Sequence, residues 1–190
     1  MSFNVTLIGP SGVGKTSLAD AILNKSFSDS HKPTVGASMV KIPLEEDDVV
    51  TWFFIWDTAG MEQYRSLAPI YYRDSQCAIL VYDISKKTSL EDAESWLKLY
   101  RQECNGTYPV VAIGNKIDLE REISEDEEKE FAARNEVELL SASAKTGEGV
   151  DQILPLLRKK LTLVELPEDC KSNAIPIADF VPYQPKKSCC

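Results

Sequence analysis

Ten consecutive residues near the start of the chain have the types and spacing needed to hold a phosphate group. The segment Leu7-Ile8-Gly9-Pro10-Ser11-Gly12-Val13-Gly14-Lys15-Thr16 fits the pattern G-x-x-x-x-G-K-[ST]. In such a loop, successive backbone N–H groups point at an anion, and the positive end of the following helix faces the same spot. The glycines allow positive φ and a close approach, Lys15 can neutralise the outer phosphates, and the Thr16 hydroxyl can ligate Mg²⁺.

A glycine-rich turn that binds no ligand is the alternative to this interpretation. The context favours the phosphate site, because a strand from Asn4 to Ile8 precedes the loop and a helix follows it. In that helix Leu18, Ala21 and Ile22 share one apolar face. The loop alone does not distinguish adenine from guanine nucleotides, or a kinase and a motor from a switch.

Three further motifs follow predicted strands, and together they indicate guanine. The motif beginning at Asp57 can bring a carboxylate near the Mg²⁺, and the backbone N–H of Gly60 near the last phosphate. In Asn115-Lys116-Ile117-Asp118, the Asp118 carboxylate can accept from the N1–H and the exocyclic amine of guanine, a donor pair that adenine lacks. Ser143-Ala144-Lys145 can offer a backbone N–H to the guanine carbonyl. A single aspartate at a strand end is usually a turn residue, but four motifs in order predict one site.

The strands that must position these motifs follow from hydrophobic patterning. Cys77 to Tyr82 and Val110 to Gly114 are continuous apolar runs, which are typical of strands buried on both faces of a parallel sheet. Met39 to Leu44 and Val49 to Trp56 predict an antiparallel hairpin around a four-residue acidic turn. Val137 to Leu140 predicts a short last strand.

Helical spacing fills the segments between these strands. Thr88-Ser89-Leu90-Glu91 predicts a capping box for one helix, and Ser124 opens the next. The acidic run 125–128 is interpreted as a solvated first turn rather than as a metal site. In the last helix, Pro155 removes one early hydrogen bond if Asp151 is the N-cap, and otherwise predicts a kink.

The resulting order β-α-β-β-α-β-α-β-α-β-α predicts a doubly wound α/β fold. We expect a mostly parallel six-stranded sheet with one antiparallel strand and helices on both faces. Ligands of such folds bind at the carboxyl ends of the strands, and the four motifs lie at strand ends.

Composition limits the class of protein. A chain of 190 residues, 43% of them apolar, fits one globular domain. The net charge of -9 argues against nucleic acid as a partner. Five cysteines, at positions 77, 104, 170, 189 and 190, lack metal-ligand spacing and predict free thiols in a reducing compartment. The absence of a signal peptide pattern and of a long apolar run predicts a cytosolic chain.

The motifs resemble those of the Ras-superfamily small GTPases, and within them the Rab family, over about residues 3 to 165. The segments typical of Rabs are Trp56-Asp57-Thr58-Ala59-Gly60, Tyr64-Arg65-Ser66-Leu67, Tyr71-Tyr72-Arg73, Tyr82-Asp83-Ile84-Ser85 and the terminal Cys189-Cys190. The resemblance implies a P-loop G domain over residues 1–165, followed by a flexible tail over residues 166–190. It also implies a monomer.

By this resemblance the chain binds GTP or GDP together with Mg²⁺. Asp57 holds the Mg²⁺ through water, Phe27 packs on the guanine edge, and Gly60 senses the γ-phosphate. The implied nucleotide-binding residues are Ser11, Gly12, Val13, Gly14, Lys15, Thr16, Ser17, Phe27, Thr34, Gly60, Asn115, Lys116, Asp118, Ser143, Ala144 and Lys145. The implied metal ligands are Thr16, Thr34 and Asp57. The implied catalytic positions are Lys15, Thr34, Gly60 and Met61.

The chain departs from the family pattern at several positions. Met61 replaces the usual glutamine, and Gln63 replaces the usual arginine. The switch I signature is Val35-Gly36-Ala37-Ser38-Met39, so the aromatic trio that contacts effectors is interpreted as Met39, Trp56 and Tyr72. His31 stands where relatives have an aromatic residue over the nucleotide, and is interpreted as an exposed loop histidine.

Two functions remain open at this point. One is a cycling switch whose two switch loops are ordered by γ-phosphate contacts of Thr34 and Gly60. The other is an interaction platform that holds GTP with negligible turnover, because a Met61 thioether cannot orient the attacking water. Alternatively, Gln63 could orient the attacking water in place of residue 61. A P-loop kinase is disfavoured by Asp118.

The resemblance also implies partners and a location. These are a nucleotide exchange factor, a GTPase-activating protein of the TBC class, Rab escort and GDI proteins, and effectors that read the switch regions in vesicle trafficking. Cys189 and Cys190 are expected to carry two geranylgeranyl groups, since one lipid anchors only marginally and the charges of the tail cancel. Two idle thiols are the alternative. The chain would act on the cytosolic face of intracellular membranes, with a soluble chaperone-bound pool in the cytoplasm.

Overall fold

A six-stranded sheet with helices on both faces forms the centre of the computed structural model, which describes residues 1–23, 27, 34, 36–60, 68–104 and 108–163. The strands are β1 Ser2–Ile8, β2 Ala37–Glu46, β3 Val49–Thr58, β4 Cys77–Asp83, β5 Val110–Asn115 and β6 Glu138–Ala142. The helices are α1 Lys15–Ile22, α2 Ala68–Tyr72, α3 Lys87–Glu103, α4 Glu125–Asn135 and α5 Ile153–Thr162.

The strand order is β2-β3-β1-β4-β5-β6. Only the β2–β3 pair is antiparallel among these six strands, and the other pairs are parallel. The predicted fold class is therefore confirmed. The hairpin strands are longer than predicted, because the turn closes over Asp47 and Asp48 alone, both with positive φ of 51° and 59°. Two such residues match the twist of a tight hairpin.

The core lies on both faces of the sheet, as the continuous apolar runs predicted. Along β4, Cys77, Ile79 and Val81 point to the side covered by α1 and α5. The alternate residues of the same strand point to the side covered by α2, α3 and α4. Successive side chains of a strand point to opposite faces, so a strand covered on both sides needs apolar residues throughout.

The predicted capping box at Thr88 is wrong. Helix α3 begins at Lys87, one residue before the predicted N-cap. The Ser89 hydroxyl instead accepts a hydrogen bond of 2.8 Å from the backbone N–H of Asp83, which ties the helix to the end of β4. In α4 the capping box is present: the Ser124 hydroxyl accepts from the Glu127 N–H, and the Glu127 carboxylate accepts from the Ser124 N–H.

The acidic run 125–128 is solvated except at its last residue. The side chains of Glu125 and Asp126 are 72% and 92% exposed. Glu128 is only 5% exposed and lies under the helix. The helix turns by about 100° per residue, so a run of four acidic residues cannot all face solvent on a helix that packs against a sheet.

Asp151, the N-cap in one of the two alternatives for Pro155, is not the N-cap of α5. A short 3₁₀ turn, Val150–Gln152, precedes α5, and Gln152 is the N-cap. Pro155 is therefore the third residue of α5. Its missing N–H is one of those that have no partner inside an α-helix, so the proline costs no helical hydrogen bond.

Within the described residues, none of the helices combines the length and the apolar composition needed to cross a membrane. Cys77 and Cys104 are reduced thiols. Several predictions concern residues outside the described part of the chain. These are the roles assigned to His31, Val35, Met61, Gln63, Cys170, Cys189 and Cys190, the segment Tyr64-Arg65-Ser66-Leu67, and the tail from residue 164.

Candidate functional site

The loop between β1 and α1 has the backbone that its glycines predicted. Gly9, Gly12 and Gly14 all have positive φ, at 136°, 81° and 94°. The loop also passes very close to β4, because a Cβ at Gly9 would lie 2.2 Å from the carbonyl oxygen of Val81. Only glycine fits at that approach. Ser11 is exposed on this loop and Val13 is buried under it.

Lys15 lies inside the loop at the first position of α1. Its ammonium group donates hydrogen bonds of 2.8 Å to the carbonyl oxygens of Gly9 and Pro10. Burial lowers the pKa of Lys15 to about 8, although the nearby Asp57 carboxylate opposes this shift. Gly60 lies against the same group, because a Cβ there would be 2.2 Å from Nζ and 2.6 Å from the Pro10 oxygen. The structure thus brings Lys15 and Gly60 together.

The three predicted Mg²⁺ ligands meet beside this loop. The Thr16 hydroxyl donates to the Asp57 carboxylate at 2.7 Å, and the hydroxyl oxygens of Thr16 and Thr34 lie 2.9 Å apart. Asp57 is 2% exposed, at the carboxyl end of β3 beside β1. Hydroxyl and carboxylate oxygens are the hard donors that Mg²⁺ prefers. The residues present therefore fit a magnesium ion.

A cleft of about 250 Å³ lies next to the loop. Its lining residues are Gly12, Gly14, Ser17, Phe27, Asn115, Lys116, Asp118, Leu119, Ala144 and Lys145. All of these except Leu119 were predicted as nucleotide-binding residues. The cleft is at the carboxyl ends of β5 and β6, where ligands of doubly wound folds bind.

Asn115 holds two parts of the site together. Its Nδ2 donates to the Val13 carbonyl at 2.8 Å, and its Oδ1 accepts from the backbone N–H of Ala144 at 3.1 Å. A Cβ at Gly14 would lie 2.5 Å from Nδ2. The position of this side chain therefore fixes the phosphate loop relative to the Ser143-Ala144-Lys145 motif.

Lys116 has a positive φ of 70°, and its side chain contacts two other segments of the chain. Its ammonium group donates to the Gly12 carbonyl at 2.8 Å and to the Asp83 carboxylate at 2.6 Å. Burial alone would raise the pKa of Asp83, but hydrogen bonds from Lys116 and Ser85 bring it below its usual value. Asp83 was not among the residues that the sequence motifs assign to the site. The signal was available, because Asp83 ends β4 as Asn115 ends β5.

Asp118 lies beside the last motif. Its Oδ1 accepts a hydrogen bond of 2.6 Å from the Ser143 hydroxyl, which itself accepts from the Thr146 N–H at 3.1 Å. Both motifs come from loops that follow neighbouring parallel strands. The structure thus brings Asp118, Ala144 and Lys145 to the cleft, as the strand-end rule predicted. Ser143 is fully buried and contacts Asp118 without lining the cleft itself.

The assignment of Tyr72 to the aromatic trio is wrong. Tyr72 has no exposed surface and packs edge to face on Tyr100, with ring centroids 5.4 Å apart. Its neighbour Tyr71 packs on Trp56 at 5.5 Å and is only half-buried. Met39 pairs with Trp56 across the hairpin. Tyr71 rather than Tyr72 therefore lies beside Trp56 and Met39, since consecutive residues of a helix point about 100° apart.

Comparison with known proteins agrees with this geometry. The Ras family model matches residues 4–162. The chain is 38% identical to the GTP-binding protein ypt5 of Schizosaccharomyces pombe over 84% of the chain and 77% of that protein. It is 35% identical to the Ras-related protein Rab7 of Glycine max, over 98% and 94% of the two chains. It is also 35% identical to the human Ras-related protein Rab-22A, over 98% and 96%.

These matches cover the strands, the phosphate loop and every described motif of the cleft. A phosphate loop, a group of hydroxyl and carboxylate oxygens at Thr16, Thr34 and Asp57, and a neighbouring cleft are the parts that a hydrolase of a nucleoside triphosphate needs. The chain belongs to the Ras family and, within it, is a Rab small GTPase that binds GTP and GDP.

Proposed function

We propose that this Rab GTPase is a Mg²⁺-dependent cycling switch that hydrolyses GTP slowly and recruits effectors to membranes in vesicle trafficking. The observation that carries the proposal is the cluster of Thr16, Thr34 and Asp57. It joins three segments, namely the start of α1, the segment before β2, and the end of β3. A group bound there can bias the positions of all three.

Thr16, Thr34 and Asp57 would hold the metal ion. A bound Mg²⁺ supplies positive charge to the β- and γ-phosphates where negative charge develops during transfer. Lys15 would bind the same phosphates through its ammonium group, moving away from the Gly9 and Pro10 carbonyls that it contacts in this structure. Gly60 lies against that ammonium group, so a γ-phosphate at Lys15 would also lie next to the Gly60 backbone.

The guanine base would occupy the 250 Å³ cleft, with Asp118 accepting from its N1–H and exocyclic amine. The backbone N–H groups of Ala144 and Lys145 are the candidates for its carbonyl oxygen, although Ala144 N–H contacts Asn115 in this structure. Phe27, 38% exposed, offers an apolar ring at the edge of the same cleft. The predicted residues of the phosphate loop and the start of α1 would contact the phosphates, namely Ser11, Gly12, Val13, Gly14 and Ser17. Asn115, Lys116 and Ser143 complete the predicted guanine site.

Slow intrinsic hydrolysis follows from Met61 in the position where relatives orient the attacking water with a glutamine. A GTPase-activating protein of the TBC class would supply the missing groups. An exchange factor, effectors at Met39, Trp56 and Tyr71, and escort and GDI proteins complete the proposed partners. Prenylated Cys189 and Cys190 would attach the chain to the cytosolic face of intracellular membranes.

A GTP-loaded interaction platform is the second candidate, and Met61 is the residue that favours it. The two are separated by identifying the nucleotide released when purified protein is denatured. GDP supports the cycling switch and GTP supports the platform, whereas an adenine nucleotide contradicts both. Exchange measured with and without excess EDTA tests the metal, because the switch should release its nucleotide much faster without Mg²⁺.

A further inference from the structure

A buried carboxylate outside the nucleotide cleft lies directly behind the residues that form it. Glu128, on the first turns of α4, is 5% exposed. A carboxylate is rarely buried unless its oxygens are paired. Both oxygens of Glu128 have partners, and the two partners come from different segments of the chain.

The first partner is on the sheet. The Tyr82 hydroxyl donates to Oε1 of Glu128 at 2.6 Å, and Tyr82 is 1% exposed on β4. Burial and the neighbouring carboxylate raise the pKa of Tyr82, so its hydroxyl stays protonated and remains a donor. The second partner is Arg121, whose guanidinium group donates to Oε2 and to the Ile123 carbonyl. Arg121 belongs to the loop that also carries Asp118.

The Tyr82 hydroxyl and the Glu128 carboxylate can meet only because residue 114 is a glycine and has no side chain. A Cβ at Gly114 would lie 2.7 Å from Oε1 of Glu128 and 2.9 Å from the Tyr82 hydroxyl. Gly114 and Tyr82 are register partners on β5 and β4. The next register pair is Asn115 and Asp83, the residues that hold the phosphate loop and Lys116. The buried network is therefore one residue away from Asn115, which lines the cleft, and from Asp83, which binds the cleft residue Lys116.

The segment from Gly114 to Arg121 is thus held at both of its ends by one side chain. Glu128 packs at Gly114 and pairs with Arg121, and Asp118 lies between the two. Resting on the proposed recognition of guanine by Asp118, we propose that Glu128 is a positioning residue for base recognition. It sets where the Asp118 carboxylate stands in the cleft without touching the nucleotide itself.

The position of the Asp118 carboxylate matters for guanine recognition because its two oxygens must accept hydrogen bonds from two donors of one rigid base. Loss of the Glu128 pairings would let the loop carrying Asp118 shift, and the bidentate contact would weaken before the phosphate contacts of Lys15 and Thr16 do. The expected signature is a loss of base discrimination. A general loss of stability would weaken every nucleotide alike.

The test compares GDP with inosine diphosphate, which lacks the exocyclic amine. Dissociation rates of both are measured for the full-length parent, Glu128→Gln and Glu128→Ala in saturating Mg²⁺. Glu128→Gln keeps the size of the side chain but loses the charge that pairs with Arg121. We expect GDP to be released about tenfold faster, which is the scale of one charge-assisted hydrogen bond. We also expect a smaller ratio of the inosine diphosphate to the GDP dissociation rate.

Two variants serve as controls. Glu130→Ala removes an exposed carboxylate from the same helix and should match the parent. Val137→Ala trims a residue of the core under α4, outside the network, and should lower the melting temperature while leaving the ratio unchanged. If Glu128→Ala does not fold, Glu128→Gln alone decides the result.

The outcomes separate this inference from the proposed function. A parent that releases both nucleotides at equal rates contradicts guanine recognition and the role of Glu128 together. A parent that prefers GDP, with Glu128 variants that lose stability but keep the parent ratio, contradicts the positioning role alone. The positioning role is supported if the ratio of the inosine diphosphate to the GDP dissociation rate is smaller in Glu128→Gln than in the parent, and is unchanged in Val137→Ala.

Discussion

The side-chain amide of Asn115 donates a hydrogen bond of 2.8 Å to the carbonyl oxygen of Val13, joining residues 102 positions apart. The other end of the same amide accepts from the N–H of Ala144. One buried side chain thus connects the phosphate loop, the Asn115-Lys116-Ile117-Asp118 motif and the last motif. The proposed phosphate and base contacts would therefore depend on the same side chain.

Replacement of Asn115 by alanine should therefore affect both stability and nucleotide release. It leaves the Val13 carbonyl and the Ala144 N–H unpaired, at a cost of about 1–3 kcal/mol each. Urea unfolding should show the loss of stability, and GDP dissociation should be faster than in the parent. Asn135→Ala is the matched control, since Asn135 is buried in α4 at 7% exposure and bonds within its helix. Equal GDP dissociation in the two variants would contradict the bridging role.

Asp118→Asn should reduce the affinity for both GTP and GDP by about tenfold or more, because asparagine replaces one of the two acceptor oxygens by an NH₂ donor that faces a donor of guanine. Xanthosine nucleotides, which present an oxygen in place of the amine, should then compete. Competition binding with labelled GDP measures both effects. Asp126→Asn, at a 92% exposed carboxylate, controls for the loss of charge. Parent-like GDP affinity in Asp118→Asn would mean that the base site is elsewhere.

GDP binding should take up a proton at Lys15. Burial lowers the Lys15 pKa from 10.5 to about 8, and bound phosphates favour the charged form. The free protein therefore loses the proton above pH 8 and must regain it on binding, so affinity falls as the pH rises. Between pH 7.5 and 8.5 the expected decrease is about threefold.

Calorimetry in two buffers of different ionisation enthalpy measures this uptake directly. Lys15→Arg is the control, because a guanidinium does not titrate in this range. It should bind GDP more weakly and without proton uptake. A parent that takes up no proton near pH 8 would show that Lys15 is already charged before binding.

Met61→Gln should raise the intrinsic rate of GTP hydrolysis by about tenfold or more, because it restores an amide that can orient the attacking water. Nucleotide affinity should stay unchanged, since Lys15, Thr16 and Asp118, the residues proposed to carry it, are not altered. Single-turnover hydrolysis at saturating Mg²⁺ measures the rate. Gln63→Ala tests the alternative source of this function. Equal rates in the parent and Met61→Gln would mean that position 61 does not limit the reaction.

Protein isolated from cells should carry two geranylgeranyl groups, on Cys189 and Cys190. A single chain gives only marginal membrane binding, so the variant with both cysteines changed to serine should be found in the soluble fraction. Intact mass and cell fractionation measure these two properties. Cys170→Ser should behave as the parent. Unmodified terminal cysteines in a soluble parent would overturn the proposal.

The sequence by itself determined the fold class and most of the cleft. Continuous apolar runs at Cys77 and Val110 require strands buried on both faces, and such strands need helical crossovers in a parallel sheet. Parallel strands end at the same edge, so motifs after successive strands must meet. That is why the sequence alone predicts that Asp57, Asn115, Asp118 and Ser143 belong to one site.

Only the tertiary structure decided how individual side chains are used. Tyr71 and Tyr72 are adjacent and identical, yet one packs on Trp56 and the other lies in the core. Glu128 ends an acidic run whose first members are solvated, yet it is buried against Tyr82 and Arg121. Asp83 accepts a hydrogen bond from Lys116, which is distant in the sequence, and Ser89 accepts one from the Asp83 N–H. These outcomes depend on which face of each helix meets the sheet, and that is fixed by packing between distant segments rather than by local pattern.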